Sequence, residues 1–235
     1  LTAPLVFAGA VAKQALAQHG IVVGSHILQI NDIQEERFNP MGVSDAELAE
    51  LHAKKFAVMD DTVGEKMQER ILQAKSELNS VGGVVEAIAL HLPAGIGAPY
   101  FDSVESMLSH ALFSVPAVKG IEFGDGFGFA GLTGAEANDA LHYVDGKVLA
   151  LTNHNGGVTG GITNGMPLVV RVAIKPTPSI AREQQTVSLK EQADTTLAIV
   201  GRHDPCIVQR AVPVIEAVVA WTLWDLLLEA KKWEK

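Results

Sequence analysis

The chain has 235 residues, 48% of them hydrophobic and 19% charged, a balance that excludes a disordered tail and fits one large domain or two small ones. Aromatic residues make up 6%, while glycine and proline number 22 and 10, so an aliphatic core with glycine-rich turns is expected and an aromatic nucleic-acid platform is not. With 18 basic against 27 acidic residues the net charge is −9, which opposes attraction to a phosphate backbone or an anionic membrane surface; any bound anion must be held by a local cluster. The single cysteine, Cys206, cannot form an intrachain disulfide and points to a reducing, cytoplasmic compartment. Leu1 to Gly20 lacks the basic start and long apolar run of a signal peptide.

In chain order, Ala3 to His19 reads as a helix apolar on most faces and Ile21 to Ile30 as a strand with partial alternation. Asn31 to Met41, polar and containing Asn39-Pro40, reads as a loop. Ser44 with Glu47 three residues on forms the capping-box pattern that opens a charged helix. Asp60 to Leu78 predicts an amphipathic helix with Val63, Met67, Ile71, Ala74 and Leu78 on one stripe. After Gly82-Gly83, Val84 to Leu92 predicts a strand, Pro93 to Pro99 a loop and Ser103 to Phe113 a helix.

From Val115 to Gly165 the composition shifts: 12 of these 51 residues are glycine. Such a stretch is either a linker or a set of loops that bring backbone close to a ligand. Pro167 to Ile174 is a valine-rich strand, and two short apolar runs, Thr186 to Leu189 and Thr195 to Val200, precede a long final helix. Within that helix Ala211 to Leu228 is almost wholly apolar, but Pro213, Glu216 and Asp225 interrupt it, so it reads as a buried core helix rather than a membrane span. Strands and helices do not alternate as a doubly wound sheet requires, and the expected fold is α+β in layers.

Four constellations carry candidate chemistry. Gly126-Phe127-Gly128-Phe129-Ala130-Gly131 matches G-x-G-x-x-G, but Gly124 and Gly134 would fray the required helix, and Lys119, Gly120 and Glu122 interrupt the strand before it. Loops and turns are the better reading there. Asn153 to Gly165 contains two Gly-Gly pairs, which let backbone N–H groups converge on an anion, although a long hairpin turn would use the same residues. Lys175-Pro176-Thr177-Pro178-Ser179 leaves a strand with its backbone stiffened by two prolines, presenting an ammonium and two hydroxyls at little ordering cost; a rigid edge turn is the alternative. In Gly201-Arg202-His203-Asp204-Pro205-Cys206, Asp204 and Pro205 predict the N-cap and first position of the final helix. Arg202 can also grip a phosphate and Asp204 can act as a base. Cys206 reads as a small buried residue.

Taken in order, Ser114 to Phe127, Asn155 to Gly165, Lys175 to Ile180 and Gly201 to Cys206 closely resemble chorismate synthase, with Ser80-Val81-Gly82-Gly83, Leu92 to Gly97 and Phe101-Asp102 in agreement. The resemblance covers essentially all of residues 1–235 and implies one domain, a layered β-α-β sandwich with mostly antiparallel sheets and a long C-terminal helix. It further implies elimination of phosphate from 5-enolpyruvylshikimate 3-phosphate to give chorismate, with reduced FMN as cofactor and no net redox change. A cytoplasmic homotetramer is implied too, with neither nucleic acid nor membrane as partner. The positions that match the family's flavin contacts are Pro116, Ala117, Gly160, Lys175, Pro176, Thr177, Pro178, Ser179 and Arg202; some members carry Asn where this chain has Pro116. Asp204 matches the family's aspartate near flavin N5 that assists proton removal, and Arg202 also matches a substrate-facing arginine.

Leu1-Thr2-Ala3-Pro4 matches a point well inside the family pattern, so the family's N-terminal third, with two histidines and several arginines, is expected to be missing from the chain. None of the eight histidines takes those places. Slow or absent turnover by these 235 residues alone is therefore expected, and the alternative to an enzyme is an inactive fragment or homologue that serves as a flavin-binding or assembly module.

Overall fold

In a computed structural model of the chain, residues 2–231 are described; Leu1, where the family pattern is met, lies outside them. Pro4 occupies the first turn of α1 (Ala3–Ala17), where its missing N–H costs no helix bond and its fixed φ suits the turn. α1 leads into β1 (Val22–Ile30), which folds back on a two-residue β2 (Ile33–Gln34) inside the stretch expected to be loop. The capping box forms as the sequence predicts. The Ser44 hydroxyl accepts from the Glu47 N–H, and the Glu47 carboxylate accepts from the Ser44 N–H, opening α2 (Asp45–Ala53). Asp60 caps α3 (Asp61–Ser76) through the Thr62 N–H. After β3 (Gly83–Leu90), Ser103 caps α4 (Val104–Phe113) by accepting from the Ser106 N–H.

The glycine-rich stretch is structured. It holds β4 (Val118–Phe123), a 3-10 turn at Gly126–Gly131, a hairpin of β5 (Leu141–Val144) with β6 (Lys147–Ala150), and a short hairpin of β7 (Val158–Thr159) with β8 (Ile162–Thr163). β4 runs antiparallel to its neighbour and enters a 3-10 turn rather than an α-helix, so the G-x-G-x-x-G match does not build a dinucleotide cradle. β9 (Leu168–Ile174) is the expected valine-rich strand, β10 (Gln184–Ser188) pairs with β11 (Ala193–Leu197), and α5 (Val208–Lys231) follows.

The main sheet has the order β2-β1-β3-β9-β4 with every pairing antiparallel. The α+β expectation, with antiparallel sheets and a long C-terminal helix, holds. α5 lies against β1, β3 and β9 and is buried on most sides. By length and composition it could cross a membrane, yet 72% of its most apolar window is buried inside the fold, in keeping with a core helix. Its start departs from the sequence reading. Asp204-Pro205 does not open it, because the Pro205 carbonyl accepts from the Val81 N–H at 2.8 Å and the first helical residue is Val208. α1 packs against α5 so closely that a Cβ on Gly9 would overlap Ala217.

Two polar clusters tie the layers together. On the helical face, the carboxylate of Glu216 on α5 accepts from Lys13 on α1 and, at 2.7 Å, from the Ser25 hydroxyl on β1. On the opposite face, His26, Glu86, Arg171 and Glu122 stand directly across from one another on β1, β3, β9 and β4. They form a continuous ladder: His26 Nε2 to Glu86 at 3.0 Å, Arg171 Nη1 to Glu86 at 3.2 Å and Arg171 Nε to Glu122 at 2.6 Å. The second imidazole nitrogen of His26 meets Glu35. A buried arginine between Glu86 and Glu122, and a buried imidazole between Glu35 and the same Glu86, answer the requirement that buried charge be paired.

Candidate cofactor and anion site

β9 delivers the chain into the strap Lys175–Ser179, which belongs to neither helix nor strand. The Lys175 N–H donates to the Ala117 carbonyl at 2.9 Å, so Pro116 and Ala117 lie beside the start of the strap, at the turn between α4 and β4. Ala117 has φ 75°, a conformation that costs an L-residue about 1–2 kcal/mol and concentrates at functional sites. Further along, the Ser80 hydroxyl donates to the Thr177 carbonyl at 2.6 Å. Gly82 is close enough to the strap that a Cβ there would overlap the Ile174 carbonyl and crowd Pro176. The side-chain hydroxyl of Thr177 is buried and has no hydrogen-bond partner among the described residues. Native structures rarely leave such a group unpaired, and one that is unpaired calls for an explanation.

The Gly201–Cys206 segment meets the strap through His203. Its Nε2 lies 2.8 Å from the Ile199 carbonyl and its Nδ1 3.1 Å from the Ser179 hydroxyl. A carbonyl only accepts, so Nε2 carries a proton, and in the neutral ring Nδ1 accepts from Ser179. Arg202 and Lys175 are exposed, while Asp204 accepts from Arg210 Nη1 at 2.7 Å, which fixes the direction of its carboxylate. Cys206 is buried, as expected, and burial pushes its thiol up, against a nucleophilic role.

Pro116, Ala117, Lys175, Pro176, Thr177, Pro178 and Ser179 thus stand together, and His203 brings Arg202 and Asp204 to them. Gly160 does not join this group. It lies in the exposed β7–β8 turn with open space where a Cβ would be, and that hairpin adjoins the beginning of β9, whereas the strap leaves its end.

The glycine-rich loop at Asn153–Gly165 forms a second feature at the beginning of β9. Asp139 organises it by accepting from the N–H groups of His154 and Asn155, from the Asn155 amide and from the Thr152 hydroxyl. Burial raises the Asp139 carboxyl, but these donors outweigh it and hold the group below the ordinary range. Asn155, Thr159 and Asn164 then line a cavity of about 650 Å3 roofed by Leu141 and Leu149 of the β5–β6 hairpin, within the size range of small-molecule sites.

Sequence reasoning missed Asp139, Ser80 as a tie to the strap, and the bond from His203 to Ser179. Asp139 follows Glu136-Ala137-Asn138, where nothing local marks it. The other two depend on contacts between segments 97 and 24 residues apart.

The family model described as chorismate synthase matches residues 1–228. The chorismate synthase of Thermococcus gammatolerans is 46% identical over 235 residues, covering 100% of this chain and 64% of the relative. That of Lancefieldella parvula is 40% identical, covering 97% of this chain and 62% of the relative. A solved structure described as "Crystal Structure of Chorismate Synthase" superposes with a TM-score of 0.79 at 31% identity, covering 97% of this chain and 63% of that one. The chain therefore spans less than two thirds of the length of these relatives, and it belongs to the chorismate synthase family.

Proposed function

We propose that this chain carries the flavin- and phosphate-facing part of a chorismate synthase, which eliminates phosphate from 5-enolpyruvylshikimate 3-phosphate in the 1,4 sense to give chorismate with reduced FMN. The observation that carries the reading is the strap: a proline-stiffened segment whose buried Thr177 hydroxyl lacks a partner among the described residues, set between the exposed cations Lys175 and Arg202. An orphaned hydroxyl and two accessible cations fit a ligand bearing ring carbonyls and a phosphate, and they supply the local cluster that a chain of net charge −9 needs to hold an anion.

In this reading Pro116, Ala117, Lys175, Thr177, Ser179 and Arg202 hold the flavin, Pro176 and Pro178 keep the strap rigid, and Gly160, at the other end of β9, stands outside the set. When bound, reduced FMN lends electron density as phosphate departs. Lys175 and Arg202 offset the charge of the anionic ligands, most strongly where water is excluded. Asp204, oriented by Arg210, assists removal of the substrate proton, and the strained Ala117 turn keeps the backbone preorganised around the ligand. A cytoplasmic homotetramer is part of the proposal: family membership supports the assembly, and the single, buried cysteine fits a reducing compartment.

Anaerobic incubation of the protein, expressed with its complete coding sequence, with reduced FMN and 5-enolpyruvylshikimate 3-phosphate is expected to release phosphate and chorismate in equal amounts. Folded protein that binds FMN but yields no chorismate reduces the role to flavin binding, and folded protein that binds neither ligand overturns the reading.

A further inference from the structure

We propose that Ser80 and His203 are positioning residues that hold the Lys175–Ser179 strap in register with the Arg202–Asp204 turn. The proposal deepens the flavin reading and rests on it for its functional consequence, while its structural part stands on contacts alone.

The strap has few means of fixing itself. Pro176 and Pro178 offer no N–H, and among the described residues, apart from the Lys175–Ala117 bond at its start and an exposed bond from the Gln184 amide to the Pro178 carbonyl, its ties are the part-buried ones made by Ser80 and His203. Ser80, 9% exposed, grips the Thr177 carbonyl. Its neighbour Val81 donates to the Pro205 carbonyl, so one short loop holds both the strap and the segment bearing Arg202 and Asp204. His203 ties the same two segments a second time through Ser179. The contacts close a ring: Thr177 to Ser179 along the chain, across to His203, along to Pro205, across to Val81, back to Ser80 and across to Thr177. Three peptide segments and three hydrogen bonds complete it.

Lys175 lies two residues outside the ring on one side, and Arg202 one residue outside it on another. Opening the ring at either tie frees both cations to drift apart and turns the Thr177 hydroxyl from a fixed group into a mobile one. Misplacement of this kind weakens binding without unfolding the sheet.

The test combines amide hydrogen exchange on ligand-free protein with FMN fluorescence titration, using protein expressed with its complete coding sequence. Ser80→Ala and His203→Leu are each expected to speed exchange at the Val81 and Lys175 amides, which donate to the Pro205 and Ala117 carbonyls, and to weaken FMN binding by about tenfold, with exchange in β1, β3 and β9 unchanged. Ser80→Thr, which keeps the hydroxyl, restores both readouts. The double variant loses less than the sum of the two single losses, because either cut already opens the ring. Exchange at the Val81 and Lys175 amides equal to wild type in both single variants overturns the proposal, as does FMN affinity within about twofold of a flavin-binding wild type. If Ser80→Ala does not fold, the His203→Leu measurements decide. Wild-type protein that binds no FMN overturns the flavin reading instead, and the exchange at Val81 and Lys175 then decides the positioning role.

Discussion

The imidazole of His26 and the carboxylate of Glu86 face each other on neighbouring strands, Nε2 3.0 Å from Oε2, and both side chains are fully buried. Glu86 also accepts from the Phe38 N–H and from Arg171, while Glu35, on the other side of the imidazole, accepts from the N–H groups of Met59 and Asp60. The ladder thus binds the loops around α2 to the sheet as well as joining the strands. It sits where a purely apolar sheet face would otherwise be expected, beside Phe38, Ile88 and Val169.

The ladder makes stability depend on the charge of His26. Burial lowers its pKa, but the hydrogen bonds and charges of Glu35 and Glu86 outweigh burial, so the net direction is up from 6.5. A raised folded value means that the protonated imidazole stabilises the fold fully below pH 6.5 and that this contribution is lost as pH rises through the folded value. Denaturant midpoints measured from pH 6 upward should fall in the wild type and change less in His26→Gln. The substitution itself should cost about 3 kcal/mol near neutral pH, because it leaves buried carboxylates uncompensated. Equal stability of the two proteins near neutral pH would falsify this account of the ladder.

Glu216 predicts the opposite dependence. Burial raises its carboxyl, but the His52 imidazole 3.6 Å away, the charge and hydrogen bond of Lys13 and the Ser25 hydroxyl together hold it below 4.5. A lowered folded value gives stability that is present above pH 4.5 and lost as pH falls through the folded value. Acid unfolding monitored by circular dichroism should therefore begin at higher pH in Lys13→Met than in wild type. An unchanged acid transition would show that Lys13 does not stabilise the carboxylate.

The contact between α1 and α5 leaves no room for a side chain at Gly9. Gly9→Val should destabilise by about 2–3 kcal/mol through overpacking. Thermal denaturation of the Gly9 variant settles the matter, since a midpoint equal to wild type would mean that the helices separate at little cost.

How much of this was legible beforehand depended on sequence distance. The cap of α2 was readable because Ser44 bonds to a residue three positions away; Asp60 and Ser103, expected as the first residues of their helices, prove to be the caps just before them, bonding two or three positions on. The strap was readable because Pro176 and Pro178 act on their own backbone. The ladder was not, since His26, Glu86, Arg171 and Glu122 meet only once the strand order β1-β3-β9-β4 is set, and each alone looks like an ordinary charge inside a strand. Asp204-Pro205 misled for the converse reason: a locally sound cap signal was overridden when Val81, more than a hundred residues earlier in the chain, took the Pro205 carbonyl. The placement of Gly160 also escaped local reading, because motif order says nothing about which end of β9 a hairpin adjoins.

Thr177 offers a test that separates a ligand-directed group from a structural one. A buried hydroxyl with no partner carries a desolvation cost of about 1–3 kcal/mol, so a hydroxyl that served only the fold would be better replaced by a methyl group. Thr177→Val keeps the shape and removes the hydroxyl while Ser80 still holds the Thr177 carbonyl. The variant should be at least as stable as wild type, by up to about 1 kcal/mol, yet should bind FMN more weakly, by about tenfold. Thermal denaturation and flavin titration on the same preparation give both numbers. Lower stability with unchanged flavin affinity would mean that the hydroxyl finds its partner inside the protein and that the strap faces no ligand at this position.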